Sequence, residues 1–407
     1  MPNGWLCHGS RSLTDHETQP AILILNQMAG PMTWELAEDM GEALGSVALF
    51  TGHPDTLQKS HPKVQMFAAA PYHRGSFIRR ALSWVHYWLQ AFFWLWRWPK
   101  ETPLLLFSNP PILCWLGWLM RTLRGTPYHV MVHDIYPDVL VRMSGFSEKH
   151  PLIRLWRWLN RRAYERAKVV MTLGEYMAAT LALQFDSTKT TQGQIEVIYP
   201  WVDTEKIKPI PKAENWFAQK YNQVDKLTVM YSGNMGLGHD IETMLEAARQ
   251  LKAVPEIHFM FIGTGPKWSL VNDAQQSENL KNITVLGWQP ENDLPYILAA
   301  ADIALVSLEN EFQGLAIPSK SIFAMSVGSI IISISGQHNE LYTWITDHFC
   351  GAVCPQSDVN GLVAYLSKYS WQQDSLITTH ELARQLALTR FTRTANVTQI
   401  IETILYE

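Results

Sequence analysis

The sequence has few cysteines, and this absence excludes a protein built on disulfides. Four cysteines in 407 residues cannot frame a scaffold of this size. Cys350 and Cys354 have three residues between them and no second pair nearby, so their spacing argues against a zinc site. The cysteine content is that of a protein from a reducing cytosol.

Charge and long apolar runs are also scarce. Charged residues make up 17% of the chain and hydrophobic residues 47%, which excludes a disordered chain, a coiled coil and a collagen-like fibre. No uninterrupted run of about 20 apolar residues is present that could cross a bilayer. The nearest segment, residues 81–98, is rich in aromatics but is interrupted by His86 and Gln90. Residues 1–20 are polar and lack the apolar core of a signal peptide, so we expect a mobile N-terminal extension there.

Basic residues, in contrast, are concentrated in one stretch. The whole chain has a net charge of −4, yet residues 70–170 hold fifteen Lys/Arg and five acidic residues, a local charge of +10. The amphipathic segment 151–168 is by itself typical of a core helix with a solvated basic face. Tryptophans and arginines in and beside residues 81–98 are typical of an interfacial segment. Together these features favour reversible binding to an anionic membrane surface, and hence a cytoplasmic protein at the inner face of the cell membrane.

Short apolar runs alternate with helical segments along the chain. The continuous runs, such as residues 21–27, are typical of strands buried on both faces. The alternation occupies residues 21–201 and starts again over 226–367, with a polar, proline-punctuated linker predicted between them (202–225) and helices predicted over 368–407. This pattern predicts an α/β fold with two tandem Rossmann-like parallel-sheet domains facing a cleft. Such sheets bind ligands at the carboxyl ends of their strands.

Two glycine-rich turns follow strands in the second half. Gly233 and Gly236 lie in MYSGNMGLGHDIETML (230–245), and Gly265 lies in GTGPKWSLV (263–271). Free amides at the start of the following helix favour an anion such as phosphate. Each turn alone is equally typical of a plain connection between a strand and a helix.

A third turn carries a cation. Ser319 and Lys320 follow a proline and precede a helical segment. A lysine in the first turn of a helix opposes the helix dipole unless it faces an anion, so this position favours an anion site. A solvated lysine is the alternative.

A histidine and an aspartate end one of the predicted buried strands. His133 and Asp134 follow the apolar run that begins at Tyr128. A side chain at the carboxyl end of a strand has more reason to face a cleft than the core. A buried histidine bonded to a neighbouring carbonyl would explain the same pattern.

Taken together, these segments resemble the donor half of retaining family 4 glycosyltransferases of the GT-B fold. The likeness is to the bacterial branch that builds capsule, colanic acid and O-antigen sugars. The matching pieces, in order, are YSGNMGLGHDIETMLEAA, FIGTGPKWSL, LGWQPENDLPYILAAADIALVSL and GLAIPSKSIFAMSVG, with VHDIYPDVL and VIYPWVDTEKI in the N-terminal half. The resemblance covers roughly residues 21–370.

The resemblance implies an activity and a set of roles. The activity is transfer of a sugar from a nucleotide-sugar donor, with retention of configuration, to a glycan acceptor that is often polyprenyl-diphosphate-linked. The glycine turns, Ser319 and Lys320 would bind the donor, and His133, with Asp134, would be catalytic beside the donor sugar. No Asp-x-Asp motif is present, so the resemblance implies a metal-independent transferase with no cofactor and no nucleic-acid partner.

Four positions depart from the family pattern. Asn234 and His239 stand where the family commonly has Arg and Lys, and Leu315 and Phe323 stand where it often has two glutamates. The branch with a Pro-Ser-Lys turn typically lacks the first of these glutamates but usually keeps the second. By analogy the second glutamate binds the nucleotide ribose. Three alternatives follow: Glu309 or Glu311 replaces it, donor binding is altered, or this copy is impaired. A catalytically degenerate scaffold protein and a nucleotide-sugar 2-epimerase remain as alternatives.

Overall fold

The structure, a computed structural model, describes residues 19–73, 76–144, 147–185, 194–371 and 373–406. The extension predicted over residues 1–20 lies outside these ranges except for its last two residues. Within them, the strands form two parallel sheets that follow one another along the chain. The predicted α/β fold with two tandem Rossmann-like domains is confirmed.

The first sheet is built from short apolar runs. Its described strands are β1 (Ile22–Leu25), β2 (Val47–Thr51), β3 (Val64–Ala68), β4 (Leu104–Phe107), β5 (Tyr128–Val132), β6 (Val169–Thr172) and β7 (Gln194–Val197). They lie in the order β3-β2-β1-β4-β5-β6-β7. Every residue of β1, β2, β4, β5 and β6 is buried, as expected for a parallel sheet with both faces covered.

The second sheet repeats this arrangement. Its described strands are β8 (Leu227–Ser232), β9 (Ile257–Ile262), β10 (Ile283–Leu286), β11 (Ile303–Ser307), β12 (Ile330–Ile334) and β13 (Gly351–Cys354). Their order is β10-β9-β8-β11-β12-β13. In each sheet the direction of winding reverses beside the first strand, between β1 and β4 and between β8 and β11. Ligands of open α/β sheets bind outside the carboxyl ends of the strands at such switch points.

Helices cover the sheets. Those of the first domain are α1 (Pro31–Leu44), α2 (Phe77–Leu95), α3 (Leu113–Arg124), α4 (Asp138–Ser144), α5 (Pro151–Arg166) and α6 (Glu175–Ala182). Those that follow are α7 (Trp216–Lys220), α8 (Ile241–Gln250), α9 (Trp268–Ser277), α10 (Leu294–Ala299), α11 (Lys320–Ser326), α12 (Glu340–His348), α13 (Val359–Trp371), α14 (Gln373–Arg390) and α15 (Arg393–Tyr406). No helix in the described ranges is both long and apolar enough to span a membrane.

The helix α7 lies inside the segment 202–225 that the sequence predicts as a linker. Its Phe217 and Ala218 are fully buried and pack with Ile297 of α10 in the core of the second domain. Packing therefore places the last part of this segment with the second domain.

The C-terminal helices, predicted over residues 368–407, divide between the two domains. The helix α14 packs against α11 and β12 of the second domain. In α15, Val397 and Ile400 join the core of the first domain, and the Arg393 guanidinium donates to the Asp39 carboxylate of α1 at 2.7 Å. The connection between α14 and α15 thus returns the chain to the first domain.

Candidate active site

Three adjoining cavities lie near the boundary of the two domains. Two of them are lined by described residues of both domains, and the third by described residues of the second domain. The His133 cavity, of about 320 Å³, is lined by residues that include Asn26, Asn109, His133 and Asp134. The Lys320 cavity, of about 250 Å³, is lined by residues that include Gly233, Trp288, Ser319 and Lys320. The Trp201 cavity, of about 500 Å³, is lined by residues that include Glu35, Trp201, Asp203 and Trp288. Phe323 lines all three, so they form parts of one cleft.

Lys320 carries a largely desolvated positive charge into this cleft. Its Nζ donates a hydrogen bond to the Tyr231 hydroxyl at 2.8 Å and lies 4.1 Å from the centre of the same ring. Among the described residues no carboxylate forms an ion pair with it, and burial lowers the pKa of Lys320 to about 8. A desolvated ammonium without a counter-charge favours an anionic ligand.

The two residues that depart from the family in the first glycine turn both contact Tyr231, the hydrogen-bond partner of this lysine. The imidazole Nδ1 of His239 lies 2.8 Å from the Tyr231 hydroxyl and 2.8 Å from the backbone oxygen of Asn234. Burial, and secondarily the charge of Lys320, lower the pKa of His239 to about 4. His239 is therefore neutral at pH 7. Lys320 is the basic residue among the described residues that line the Lys320 cavity.

The glycines of the two turns allow the turns to pack backbone against backbone. Gly263 has a φ of 137°, and a Cβ there would lie 2.0 Å from the carbonyl oxygen of Gly233. Gly265 has a φ of 136°, and a Cβ there would lie 2.6 Å from the carbonyl oxygen of Met235. Residues with side chains would force the turns apart, so these glycines are needed for the shape of the cleft.

The amides of the first turn are largely engaged within the protein. The N–H groups of Gly233 and Met235 donate to the carbonyl oxygens of Ile262 and Thr264, and that of Gly236 donates to His239 Nδ1 at 3.3 Å. The first two bonds hold the two turns together, and the third lies within the first turn. The amides that the sequence predicts to be free for a phosphate are those at the start of α8, where the N–H of Thr243 donates to Asp240 Oδ1 at 3.1 Å. The side chain of Lys320 is a second positive group that the structure offers to an anion.

His133 and Asp134 both face the cleft at the end of β5. Ser108 fixes their backbone, because its hydroxyl accepts from the N–H of His133 at 2.9 Å and from that of Asp134 at 3.4 Å. The His133 ring packs edge-on against Phe107 at 5.3 Å. Burial lowers the pKa of His133 to about 4 and raises that of Asp134 to about 6. The imidazole is therefore neutral at pH 7 and can donate or accept one hydrogen bond at the cavity wall.

The structure does not bring Glu309 or Glu311 to the Lys320 cavity. Glu309 lies over the turn before α8, where a Cβ on Gly238 would be 3.0 Å from its Oε2. Burial and the charge of Glu311 raise the pKa of Glu309. Glu311 is exposed in a short 3-10 helix, and neither carboxylate lines the cavity that Phe323 lines. Replacement of the family glutamate by Glu309 or Glu311 is not visible in this arrangement.

Phe323 and Leu315, the two apolar residues at positions where the family often has glutamates, have different surroundings. Phe323 is half-buried and faces the cleft. Leu315 is only 6% exposed and belongs to the core of the first domain, although it lies in the sequence of the second.

Sequence reasoning missed two side chains that shape the site. Tyr231 positions both Lys320 and His239, but within the apolar run of β8 it is indistinguishable from a core residue. Trp288 is 70% exposed and lines two of the cavities. A large exposed aromatic after a strand is the signal that could have found it.

The described ranges also bear on metal binding. No group of three or more His, Cys, Asp or Glu side chains is placed there to hold a metal ion.

Comparison with known families covers both domains. Residues 212–385 match the family described as glycosyl transferases group 1, and residues 29–201 match the glycosyl transferase 4-like domain. The chain belongs to the group 1 glycosyltransferases. Its tandem sheets are the GT-B fold of that family, as the resemblance implied.

Two curated relatives are distant. The chain is 26% identical to WbjE of Pseudomonas aeruginosa, named as a probable glycosyltransferase, over 62% of this chain and 62% of WbjE. It is 28% identical to WcaI of Escherichia coli K12, named for colanic acid biosynthesis, over 63% of each chain. The match thus spans less than two thirds of either relative.

A solved structure shares the whole architecture. The Anabaena protein HepE, crystallised with UDP-glucose, superposes with a TM-score of 0.70 over 95% of this chain and 99% of HepE, at 16% identity. This likeness shows the fold.

Proposed function

We propose that this glycosyltransferase transfers a sugar, of hexose type, from a nucleotide-sugar donor to a glycan acceptor with retention of anomeric configuration. The observation that carries the proposal is the environment of Lys320. This lysine is a desolvated cation to which no carboxylate of the described part of the chain is paired, at the switch point of the second sheet and in the same cleft as His133. A leaving nucleoside diphosphate needs such a charge.

On the donor side, Lys320 binds the diphosphate. It neutralises the negative charge that grows on the leaving group as the bond to the sugar breaks. In other transferases a divalent metal neutralises this charge. Because Lys320 does so here, we propose a metal-independent reaction. The structures of HepE with UDP and with UDP-glucose support a uridine nucleotide sugar as the first donor to test.

On the other side of the cleft, His133 and Asp134 contact the reacting sugar and the acceptor. The neutral imidazole stabilises a sugar hydroxyl or the developing charge by one hydrogen bond, without competing with the diphosphate for Lys320. The His133 cavity holds the acceptor hydroxyl on the same face as the leaving group, which gives retention. Most of the rate gain then comes from positioning and charge stabilisation.

We propose a lipid-linked acceptor in cell-surface polysaccharide biosynthesis, and the outer face of α2 supports this. Its buried face carries Trp84, Tyr87 and Ala91. Its other face forms what we call the apolar ridge, with Ile78 70% and Phe93 65% exposed. The ridge consists of Phe77, Ile78, Leu82, Val85, Leu89, Phe93 and Trp96. Such a ridge on a helix matches the interfacial region of a bilayer.

Arginines border the exposed aromatics of this surface. The Arg124 guanidinium lies 4.8 Å from the ring centre of Trp96, and that of Arg162 lies 5.6 Å from the ring centre of Trp158 on α5. Each cation near an anionic leaflet contributes about 1 kcal/mol. Apolar side chains edged by arginines fit an anionic membrane surface at the cytoplasmic side, where lipid-linked acceptors and soluble donors would meet.

A ligand screen by thermal stability tests the donor assignment. A ligand that binds the native state raises its melting temperature, by an amount that grows with concentration. We expect at least one nucleotide sugar, with UDP-glucose tested first, to raise the melting temperature of the wild type and not that of Lys320→Met. Lys281→Met, an exposed lysine in the same domain, is the matched control. No response to any nucleotide would favour the degenerate scaffold, and conversion of the donor at C2 without an acceptor would favour the 2-epimerase.

A further inference from the structure

The connection between β11 and α11 leaves its own domain. Residues 308–319 link a strand of the second sheet to the helix that carries Lys320. Leu315, in the middle of this connection, is buried in the core of the first domain, and Phe312 and Ile317 pack against the same core. We call residues 308–319 the bridging loop.

A backbone hydrogen bond joins the bridging loop to the strand end that carries His133. The N–H of Ile135 donates to the carbonyl oxygen of Leu315 at 3.1 Å. Gly314, with a φ of 69°, approaches α6 so closely that a Cβ there would lie 2.7 Å from Thr180 Oγ1. The close approach and the positive φ both require glycine at this position.

A second contact ties the two domains beside the first. The carboxylate of Glu340, at the start of α12, accepts from the N–H of Met177 in the first turn of α6 at 3.0 Å. Glu340 is 3% exposed, and a Cβ on Gly174 would lie 2.4 Å from its Oε1. The same helix of the first domain is therefore held by the bridging loop and by Glu340.

We propose that the bridging loop is an interdomain clamp and that Leu315 is a positioning residue for sugar transfer. His133 is two residues from one side of the Ile135–Leu315 hydrogen bond, and Lys320 is five residues from the other. These short connections fix the imidazole relative to the ammonium across the cleft. The leucine at a position where the family often has a glutamate thus serves packing between domains and does not contact the donor. The predicted effect of the clamp on the rate of sugar transfer rests on the proposed function. Its predicted effect on the separation of the two domains does not.

The kinetic test separates binding from transfer. We expect Leu315→Ala to lower kcat about tenfold or more, because misplacement of reacting groups by about 1 Å is costly, while donor affinity stays within about twofold of the wild type. Leu315→Met, which conserves volume, should restore most of the rate. The matched control is Leu116→Ala, a fully buried leucine of α3 in the same core. Equal losses of kcat in Leu315→Ala and Leu116→Ala would overturn the proposal, as would a loss confined to donor affinity.

A measurement of shape is independent of activity. We expect small-angle X-ray scattering to give a larger radius of gyration for Leu315→Ala than for the wild type and Leu116→Ala, because the domains separate more freely. An unchanged radius of gyration would overturn the clamp. If the wild type transfers no sugar from any donor, the proposed function fails, and the scattering comparison still decides whether the clamp exists.

Discussion

At the scale of single residues, the state of Lys320 makes the donor site sensitive to pH. Burial lowers its pKa from 10.5 to about 8, so the free protein loses this charge in mildly alkaline solution. Between these two values the unfolded chain holds more protons than the folded one, and folding stability from this group rises with pH. Affinity for an anion falls as pH rises, because the anion binds the protonated, charged form of the lysine.

The first prediction follows from this opposition. We expect donor affinity to fall as pH rises above 8, approaching about tenfold for each pH unit. Lys320→Met should bind at least about tenfold more weakly at pH 7, since a charged hydrogen bond contributes about 1.5–3 kcal/mol, and should lose this pH dependence. Calorimetric titration of UDP-glucose at several pH values is the measurement. A variant that keeps the wild-type pH profile would show that another group binds the anion.

His133 gives the second prediction. We expect His133→Ala to lower kcat at least about tenfold and to change donor affinity by less than about threefold, because its hydrogen bond acts mainly as charge develops. His258→Ala is the control, since His258 lies in β9 and bonds Thr284 at 2.8 Å. Steady-state kinetics over donor concentration separate the two parameters. Full turnover in His133→Ala would mean that this histidine is structural.

Phe323 gives the third. Because its ring is half-buried and lines three cavities, we expect Phe323→Glu to fold and to bind the donor at least as tightly as the wild type. Phe323→Gln separates the effect of charge from that of a hydrogen-bond acceptor. Melting temperature and donor affinity are measured on both variants. A large loss of stability without a gain in binding would contradict an open position for Phe323.

Sequence reasoning located the candidate site only in part. The positions of Lys320 and His133 were predictable because each follows a strand, and the carboxyl ends of strands meet at a cleft. The engagement of the Gly236 amide by His239 was not, because it depends on a hydrogen bond to a side chain that a turn pattern does not specify. The burial of Leu315 in the other domain could not be read from spacing at all.

At the scale of elements, α2 is the one that departs most from an ordinary core helix. Burying an exposed Leu or Phe contributes about 1.5–3 kcal/mol, so a ridge of them binds a bilayer interface once charge brings it close. We expect the wild type to bind vesicles that contain anionic lipid and to be released in part by high salt, which shortens the Debye length from about 8 Å at physiological strength.

A double substitution on the ridge tests this fourth prediction. We expect Leu82→Ser with Phe93→Ser to weaken vesicle binding at least about tenfold by the same burial energies. Leu270→Ser with Leu388→Ser removes two exposed leucines from the second domain and should change nothing. Flotation with vesicles is the measurement. Equal binding by both double variants, or no binding by the wild type at low salt, would contradict the proposal that the apolar ridge binds a membrane.

The elements themselves were mostly predictable, with informative exceptions. Continuous apolar runs predicted the central strands, since both faces of a parallel sheet are buried. The sequence did not reveal β3, an edge strand in which only Val64 is buried, or β13, in which half-buried and buried residues alternate. The helix α2 was recognised as aromatic, but which of its faces is buried depends on packing against the sheet.

At the scale of the whole molecule, two domains are joined at several places around one cleft. Leu315 and Glu340 of the second domain reach the first, and α15 returns to pack on α1. A cleft closed in this way holds donor and acceptor groups that belong to different domains. We therefore expect that transfer requires the complete two-domain chain.

Sugar transfer itself is tested by a proton NMR time course of the wild type with UDP-glucose, a panel of other nucleotide sugars and a membrane lipid extract that supplies acceptor. We predict that one donor is consumed, that its nucleoside diphosphate appears, and that the product keeps the anomeric configuration of the donor, with or without a chelator. Under the same conditions, Lys320→Met should show no measurable consumption of donor while the wild type consumes it. Inversion at the anomeric carbon, a rate that depends on added metal, or no consumption of any donor would contradict the central claim.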